Sequence, residues 1–295
     1  MRVQINGETY VPEDSSARIG IGITTHNRRE MFLNTFEQMI NYRPTNSVIV
    51  IVDDGSDKRL TKFDTEKYDD LKVIRNEKAL GVPTAKNQCL EYLMDKGCEH
   101  LFLFDDDCCP ITEGWEKPYI DSFENHLSYQ FTKYSDGTPV GDMNVIYQDE
   151  QCVGYSHQRG CMLYYSRKAI ETVGGFNSQA FGMGMEEHLE LAQRIYRAGL
   201  TSQPYLDVRD SNSLFYSSDE HREGKTSIRK TDKQKVEEHK QYRAYLENKN
   251  DTSFIDYRTR RTHIVTSYLT TKINPQSNEF LSPSLSNIKK LVESA

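Results

Sequence analysis

The run Val48-Ile49-Val50-Ile51-Val52 stops at Asp53-Asp54-Gly55-Ser56. Five β-branched residues in succession, with no polar alternation, predict a strand covered on both faces, as in the middle of a parallel sheet. The Asp-Asp-Gly-Ser that closes it has turn composition. A second apolar run, Leu101-Phe102-Leu103-Phe104, passes in the same way into Asp105-Asp106-Asp107. Around these two, Ile19–Thr24 and Leu71–Arg75 read as strands. Arg28–Asn41 sets Met31, Phe32, Thr35, Phe36, Met39 and Ile40 at helical spacing, and Val82–Lys96 is a second helical stretch. Strands alternating with helices predict an α/β fold: a mostly parallel central sheet flanked by helices. Ligands of such folds bind beyond the carboxyl ends of the strands. Both acidic clusters fall at such ends.

Farther along the chain the pattern weakens. Residues 125–160, rich in Tyr, Gly and Asp, read as loops and short strands. Lys225–Leu246 reads as a helix, His263–Leu269 as a strand and Leu285–Val292 as a terminal helix. A chain of 295 residues holds one large domain with an appendage. The division expected is a domain over 1–221 and a basic, mainly helical extension over 222–295. The extension carries 15 Lys and Arg against 9 Asp and Glu, a net +6, while residues 1–221 carry −13. A basic tail on an acidic body suits an anionic partner such as nucleic acid or another polyanionic polymer. It equally suits a solvated, salt-bridged helix.

No apolar run approaches the roughly 18 residues of a spanning helix, and the first twenty residues lack the apolar core of a signal peptide. No membrane span and a cytoplasmic setting are therefore expected. The six cysteines, at 89, 98, 108, 109, 152 and 161, show no zinc spacing and no disulfide framework. They read as reduced packing residues.

Three carboxylates in a row at the end of an apolar strand repel one another unless a cation lies near. Hard oxygen ligands suit Mg²⁺ or Mn²⁺, and a divalent ion would offset the charge of a leaving phosphate. Two other readings stay open from these residues alone. One is an acidic loop facing water; the other is an aspartyl phosphatase with Asp105 as nucleophile and Asp107 as its partner.

Four segments in order, Gly22–Arg28, Val52–Ser56, Asn76–Asn87 and Phe104–Pro110, resemble the nucleotide-sugar domain of GT-A fold glycosyltransferases, family 2 and its relatives. The resemblance runs on through Arg159–Arg167, Val173–Phe176 and Glu187–Gly199, covering about residues 18–221. The last of these stretches is similar to polypeptide N-acetylgalactosaminyltransferases. The resemblance implies a GT-A, Rossmann-like fold and a metal-dependent transfer of sugar from a UDP-sugar to an acceptor hydroxyl, with inversion from the overall match and retention left open by the likeness of Glu187–Leu191 to a retaining group. Thr24, His26, Arg28, Asp53, Asp54, Gly81, Lys86, Asp105 and Asp106 would then bind the donor. Lys86 stands where the family has Arg. Asp105, Asp107 and His221 would hold Mn²⁺ or Mg²⁺. Glu187 is the first candidate for the base, with His188 and Glu186 behind it, and Gly182 and Gly184 would let the chain approach the sugar. Trp115 would lie near the acceptor. Arg258, Arg260 and Arg261 would bind an anionic acceptor, such as hydroxymethylated phage-type DNA. The alternatives are a cell-surface glycan or protein as acceptor, or a non-catalytic module that binds a nucleotide sugar or glycan.

Overall fold

The computed structural model describes residues 18–60, 71–141, 143–182, 184, 186–223, 231–248 and 251–258, with short strands at Val3–Ile5, Glu8–Tyr10 and Ile264–Val265. In chain order these are β1 (Val3–Ile5), β2 (Glu8–Tyr10), β3 (Ile19–Thr25), α1 (Arg29–Asn41), β4 (Ser47–Asp53), β5 (Leu71–Asn76), α2 (Val82–Asp95), β6 (His100–Asp105) and β7 (Cys108–Pro110). They continue as α3 (Lys117–Asp121), β8 (His126–Ser128), β9 (Val145–Gln148), β10 (Cys152–Tyr155), β11 (Met162–Ser166), α4 (Arg167–Val173) and α5 (Glu187–Arg197). Last come β12 (Leu206–Val208), β13 (Phe215–Ser217), α6 (Asp232–Glu247) and β14 (Ile264–Val265).

The main sheet has the order β14-β5-β4-β3-β6-β11-β8. Strands β5, β4, β3 and β6 are parallel, while β11 runs antiparallel to β6 and β8, and β14 antiparallel to β5. The buried run is β4: its side chains alternate between two cores. Ile49 and Ile51 join Phe32, Phe36, Phe102 and Phe104 on one face. Val48, Val50 and Val52 join Leu90, Leu93, Leu101 and Leu103 on the other, under α2 and α4. Period-two alternation with both faces covered explains why the sequence shows no polar residue there.

The glycines of β3 have a packing reason. A methyl at Gly22 would lie 2.7 Å from Cβ of Cys89 and from a Leu103 methyl, and one at Gly20 would lie 3.1 Å from Cys98 Cβ. Helix α2 and the turn after it therefore sit close on β3, and the small Cys89 and Cys98 permit it. All six cysteines are buried and free, in keeping with a packing role.

The C-terminal region touches the body. Tyr242 of α6 packs with Phe181, Leu189 and Tyr205, and its hydroxyl meets that of Tyr205. Ile255 bridges Gly174, and Tyr257 enters the core beside α4. Helix α6 starts at Asp232, where Thr231 and Gln234 form a capping box. The helical expectation for 225–230, the strand expectation beyond Val265 and the terminal helix over Leu285–Val292 lie outside the described residues.

Gly174 has φ +78° and ψ −158°, a region open in practice to glycine alone. A Cβ there would lie 1.8 Å from the Ile255 carbonyl oxygen. Gly174→Ala should therefore lift residues 251–258 off α4 and cost about 1–3 kcal/mol. Urea denaturation would report the loss, and proteolysis near Tyr257 should quicken; unchanged values for both would mean the segment is not docked there.

His126 of β8 is buried between Tyr164 O at 2.9 Å and Gln158 Oε1 at 3.3 Å, stacked on Tyr165. Burial pushes its pKa down from 6.5 to about 4, against both hydrogen bonds. The native imidazole stays neutral while the unfolded chain protonates. Its contribution to stability is thus complete above pH 6.5 and is lost as pH falls toward 4, by about 3 kcal/mol. His126→Asn should flatten that part of the melting-temperature profile.

Candidate functional site

The parallel register brings the acidic strand ends together. Thr24 of β3 lies opposite Asp105 of β6, and Thr25 opposite Asp53 of β4. Thr25 Oγ1 donates to Asp106 Oδ2 at 2.6 Å, and Thr24 Oγ1 reaches Asp105 Oδ1 at 3.5 Å. Thr35 of α1 donates to the Asp106 carbonyl at 2.7 Å. Asp106 is fully buried, and burial raises its pKa to about 7.

Arg28, just ahead of α1, forks across the acidic turn. One arm bonds Asp106 and the other lies 2.7 Å from Asp107 Oδ2. Burial disfavours the guanidinium charge, but Asp106, Asp107 and Asp105 together outweigh it and raise the pKa.

The end of β4 is built around Asp53 and Asp54. Asp54 accepts from Asn76 Nδ2 and Leu80 N at 2.8 Å and from Gly81 N at 2.9 Å. Gly81 then opens α2 with φ 94°. Asp53 accepts from Ser56 N at 3.0 Å and pairs with Arg75. The two aspartates are only 1% and 5% exposed, so they hold the pocket's frame from behind. His26 Nδ1 meets the Asp54 carbonyl at 2.7 Å, and Asn27, with φ 53°, ties this turn to Ser56 and Asp57.

The candidate bases lie at the start of α5. Arg194, 1% exposed, fixes this helix: it pairs with Glu190 and donates to the carbonyls of Val173 and Gly175. Glu187 is buried, with Oε1 at 3.8 Å from Lys86 Nζ and 3.6 Å from His188 Nδ1. His188 Nε2 lies 3.3 Å from Gln158 O. Glu186 sits half-buried and approaches His239 of α6 at 3.5 Å. A Cβ at Gly184 would be 2.8 Å from Val82 and 3.4 Å from Glu187 Oε2, so this turn passes close to the start of α2.

Lys86 is the connection that the sequence does not disclose. Its Nζ is buried, 3.3 Å from Asp105 Oδ1 and 3.3 Å from Gly160 O, besides Glu187. Burial opposes its charge, while Asp105 and then Glu187 raise its pKa. Asp105 is raised by desolvation, with Lys86 opposing and Asp107 adding. One cation thus joins the first aspartate of the triple to a candidate base 82 residues later.

One expected site residue is placed differently. Trp115, expected beside the acceptor, is a core residue: it is 0% exposed, packs edge-on to Phe102 and Phe104, and donates Nε1 to Tyr42 O at 2.9 Å. Arg258 is exposed near Tyr257, whereas Arg260 and Arg261 lie outside the described residues. His221 stacks on Tyr216 at 4.8 Å between centroids. Its neighbour Asp219, overlooked in the sequence, has its pKa raised to about 6 by desolvation and then by Asp107 and Asp105. Arg159, also overlooked, opposes that rise, and its Nε is buried with no partner among the described residues. The run Ser217-Ser-Asp-Glu-His221 held the signal for Asp219, but the histidine drew the reading.

Among the described residues, no group of three or more His, Cys, Asp or Glu is arranged to hold a metal ion. The donor chemistry nevertheless fits a hard divalent cation. Besides desolvation, Asp107 raises the charging cost of Asp105, and Asp107 and Asp105 raise that of Asp219, as neighbouring carboxylates do.

The sequence model of the family Glycosyl transferase family 2 matches residues 21–174, just over half of the chain. An uncharacterized glycosyltransferase of Acanthamoeba polyphaga mimivirus is 25% identical over 226 residues, covering 72% of this chain and 83% of that one. S. aureus TarS 1–349 in complex with UDP is similar in fold, with a TM-score of 0.52 and 14% identity over 78% of this chain and 71% of that one. Another structure of TarS 1–349 gives 0.51 and 17% over 68% and 60%, so there the chain spans three fifths of that fragment. The matched residues run from β3 to the end of α4 and carry both acidic strand ends, and the chain belongs to glycosyl transferase family 2.

Proposed function

We propose that the chain transfers a glycosyl group from a UDP-sugar to an acceptor hydroxyl with inversion, Asp105 and Asp107 holding Mn²⁺ or Mg²⁺ and Glu187 accepting the acceptor's proton. The observation that carries this reading is the convergence of Asp105 and Glu187 on the Lys86 ammonium. Donor end and base end of the reaction would thereby be held beside one buried ammonium.

The bound metal would supply charge compensation for the diphosphate leaving group. Thr24, His26 and Arg28, at the ends of the parallel strands, would orient the nucleotide. Arg28 would exchange an aspartate oxygen for a phosphate oxygen, which its planar fork suits. Asp53 and Asp54 would support this pocket through Ser56, Leu80 and Gly81. Lys86, enclosed between two carboxylates, would position Glu187 and Asp105 relative to each other. Asp219 would add negative charge to the metal's side of the cleft, with His221 beside it.

The test is calorimetric titration of UDP with and without Mn²⁺, run beside UDP release from a set of UDP-hexoses and UDP-pentoses. Mn²⁺-dependent binding with release supports the transferase. Binding without any release would favour a nucleotide-sugar-binding module, and UDP binding indifferent to metal would remove the ion from the reading.

A further inference from the structure

Beyond the turn that carries Asp219 lies a cavity of about 490 Å³, a size suited to a small ligand. It lies between residues 130–134, the β9–β10 hairpin and residues 208–212. We infer that this cavity is an acceptor subsite for a neutral, hydroxyl-rich oligosaccharide, an assignment that rests on the transferase reading above and names its acceptor class.

The lining has the composition that sugar rings require. Tyr155 is partly exposed, and so is Tyr134, whose ring has Phe131 at 6.0 Å between centroids and the Arg222 guanidinium over it at 4.2 Å. Aromatic faces bind the C–H faces of a pyranose by burying apolar area, while hydroxyls need planar polar partners. Thr132 and Asn212 line the cavity, and their side chains make no hydrogen bond to the protein among the described residues. They are available to a ligand's hydroxyl groups.

Charge argues against a polyanion here. Lys133 and Arg209 are matched by Asp210 and Glu220 around the same cavity, a net charge of zero. A phosphate-rich polymer would need a surplus of cations.

The walls are pre-formed. Buried Asp207 accepts from Gln130 N at 2.7 Å and from Ser211 Oγ at 2.6 Å, fixing two sides of the cavity, and from Tyr119 at 2.7 Å. The cavity also adjoins the reaction centre. Glu220 lines it and accepts from Tyr129 at 2.5 Å, and two residues earlier Ser218 N donates to the Asp107 carbonyl at 2.9 Å. Arg159 lies over the Phe131 ring at 4.7 Å and also acts on Asp219. An oligosaccharide seated against Tyr134 and Tyr155 would thus extend toward the acidic strand end.

The test uses the full chain and four neutral trisaccharides, maltotriose, cellotriose, mannotriose and chitotriose, with a duplex oligonucleotide as the anionic probe. Binding is read by saturation-transfer NMR and titration at low millimolar concentration. At least one trisaccharide should bind, with little salt dependence. Asn212→Trp, a filling change on an exposed turn, should weaken that binding tenfold or more. Lys133→Glu should change it less than twofold. Asp107→Asn should leave trisaccharide binding intact while UDP binding is lost, which separates this subsite from the donor site. If UDP binds and none of the trisaccharides does, the subsite is wrong and the donor reading stands. Trisaccharide binding that survives Asn212→Trp, or oligonucleotide binding that Lys133→Glu abolishes, would also overturn it.

Discussion

Asp107→Asn is expected to abolish Mn²⁺-dependent UDP binding while the chain stays folded. Asp107 Oδ2 lies 2.7 Å from Arg28 at the end of the acidic turn. An amide carries no charge and is a weak ligand for a hard cation, so the compensation available to a diphosphate falls. Removing such an electrostatic stabiliser costs on the order of 10²–10³ in transfer rate. The cost to the fold is smaller. Arg28 keeps Asp106, and an amide oxygen can still accept from its second arm, so the variant should stay folded. Titration of UDP with Mn²⁺, alongside a thermal melt, separates the two effects. A variant that melts normally and binds UDP with parental affinity would show that the ion, if any, is held elsewhere.

How far the sequence discloses this site depends on how local each signal is. The apolar runs ending in Asp53-Asp54 and Asp105-Asp106-Asp107 are local, and they place β4 and β6 and the cleft between their ends. The segment over β8–β10 is not legible in this way. Its strands are 3 to 4 residues long and carry no lasting period, so the cavity that they line has no trace in the sequence. Lys86 is the sharper case. From its motif it reads as a donor contact, yet its partners Asp105 and Glu187 come from β6 and α5, and only the folded sheet brings them to one ammonium. Trp115 misleads in the opposite way. It follows the acidic motif closely in sequence, but Phe102, Phe104 and Phe215 draw it into the core, where its indole N–H finds the Tyr42 carbonyl. The start of α6 was open to a local reading: Thr231-Asp-Lys-Gln234 is a capping box, a stronger signal than the basic residues before it.

Glu187→Gln is expected to leave UDP binding near the parental value and to lower the transfer rate by about 10²–10⁴, the range for loss of a general base. The substitution preserves size and hydrogen-bonding reach but removes the carboxylate proposed to accept the proton. Position supports the choice. Glu187 opens α5, where the helix dipole favours a carboxylate, and Lys86 at 3.8 Å holds it on the Asp105 side of the cleft. Its neighbours make the test discriminating. His188 lies 3.6 Å from Glu187 and is held by the Gln158 carbonyl, so His188→Ala disturbs the same corner without removing the carboxylate. Glu186 approaches His239 on α6 and lies apart from Lys86 in its contacts, so Glu186→Gln should cost less than tenfold. The measurement is single-turnover transfer for the three variants, with UDP affinity determined on each. A fall in rate confined to Glu187→Gln assigns the proton to that carboxylate. If Glu187→Gln keeps full turnover while His188→Ala loses it, the base is the imidazole, and Glu187 serves to orient it through the contact that the structure places between them.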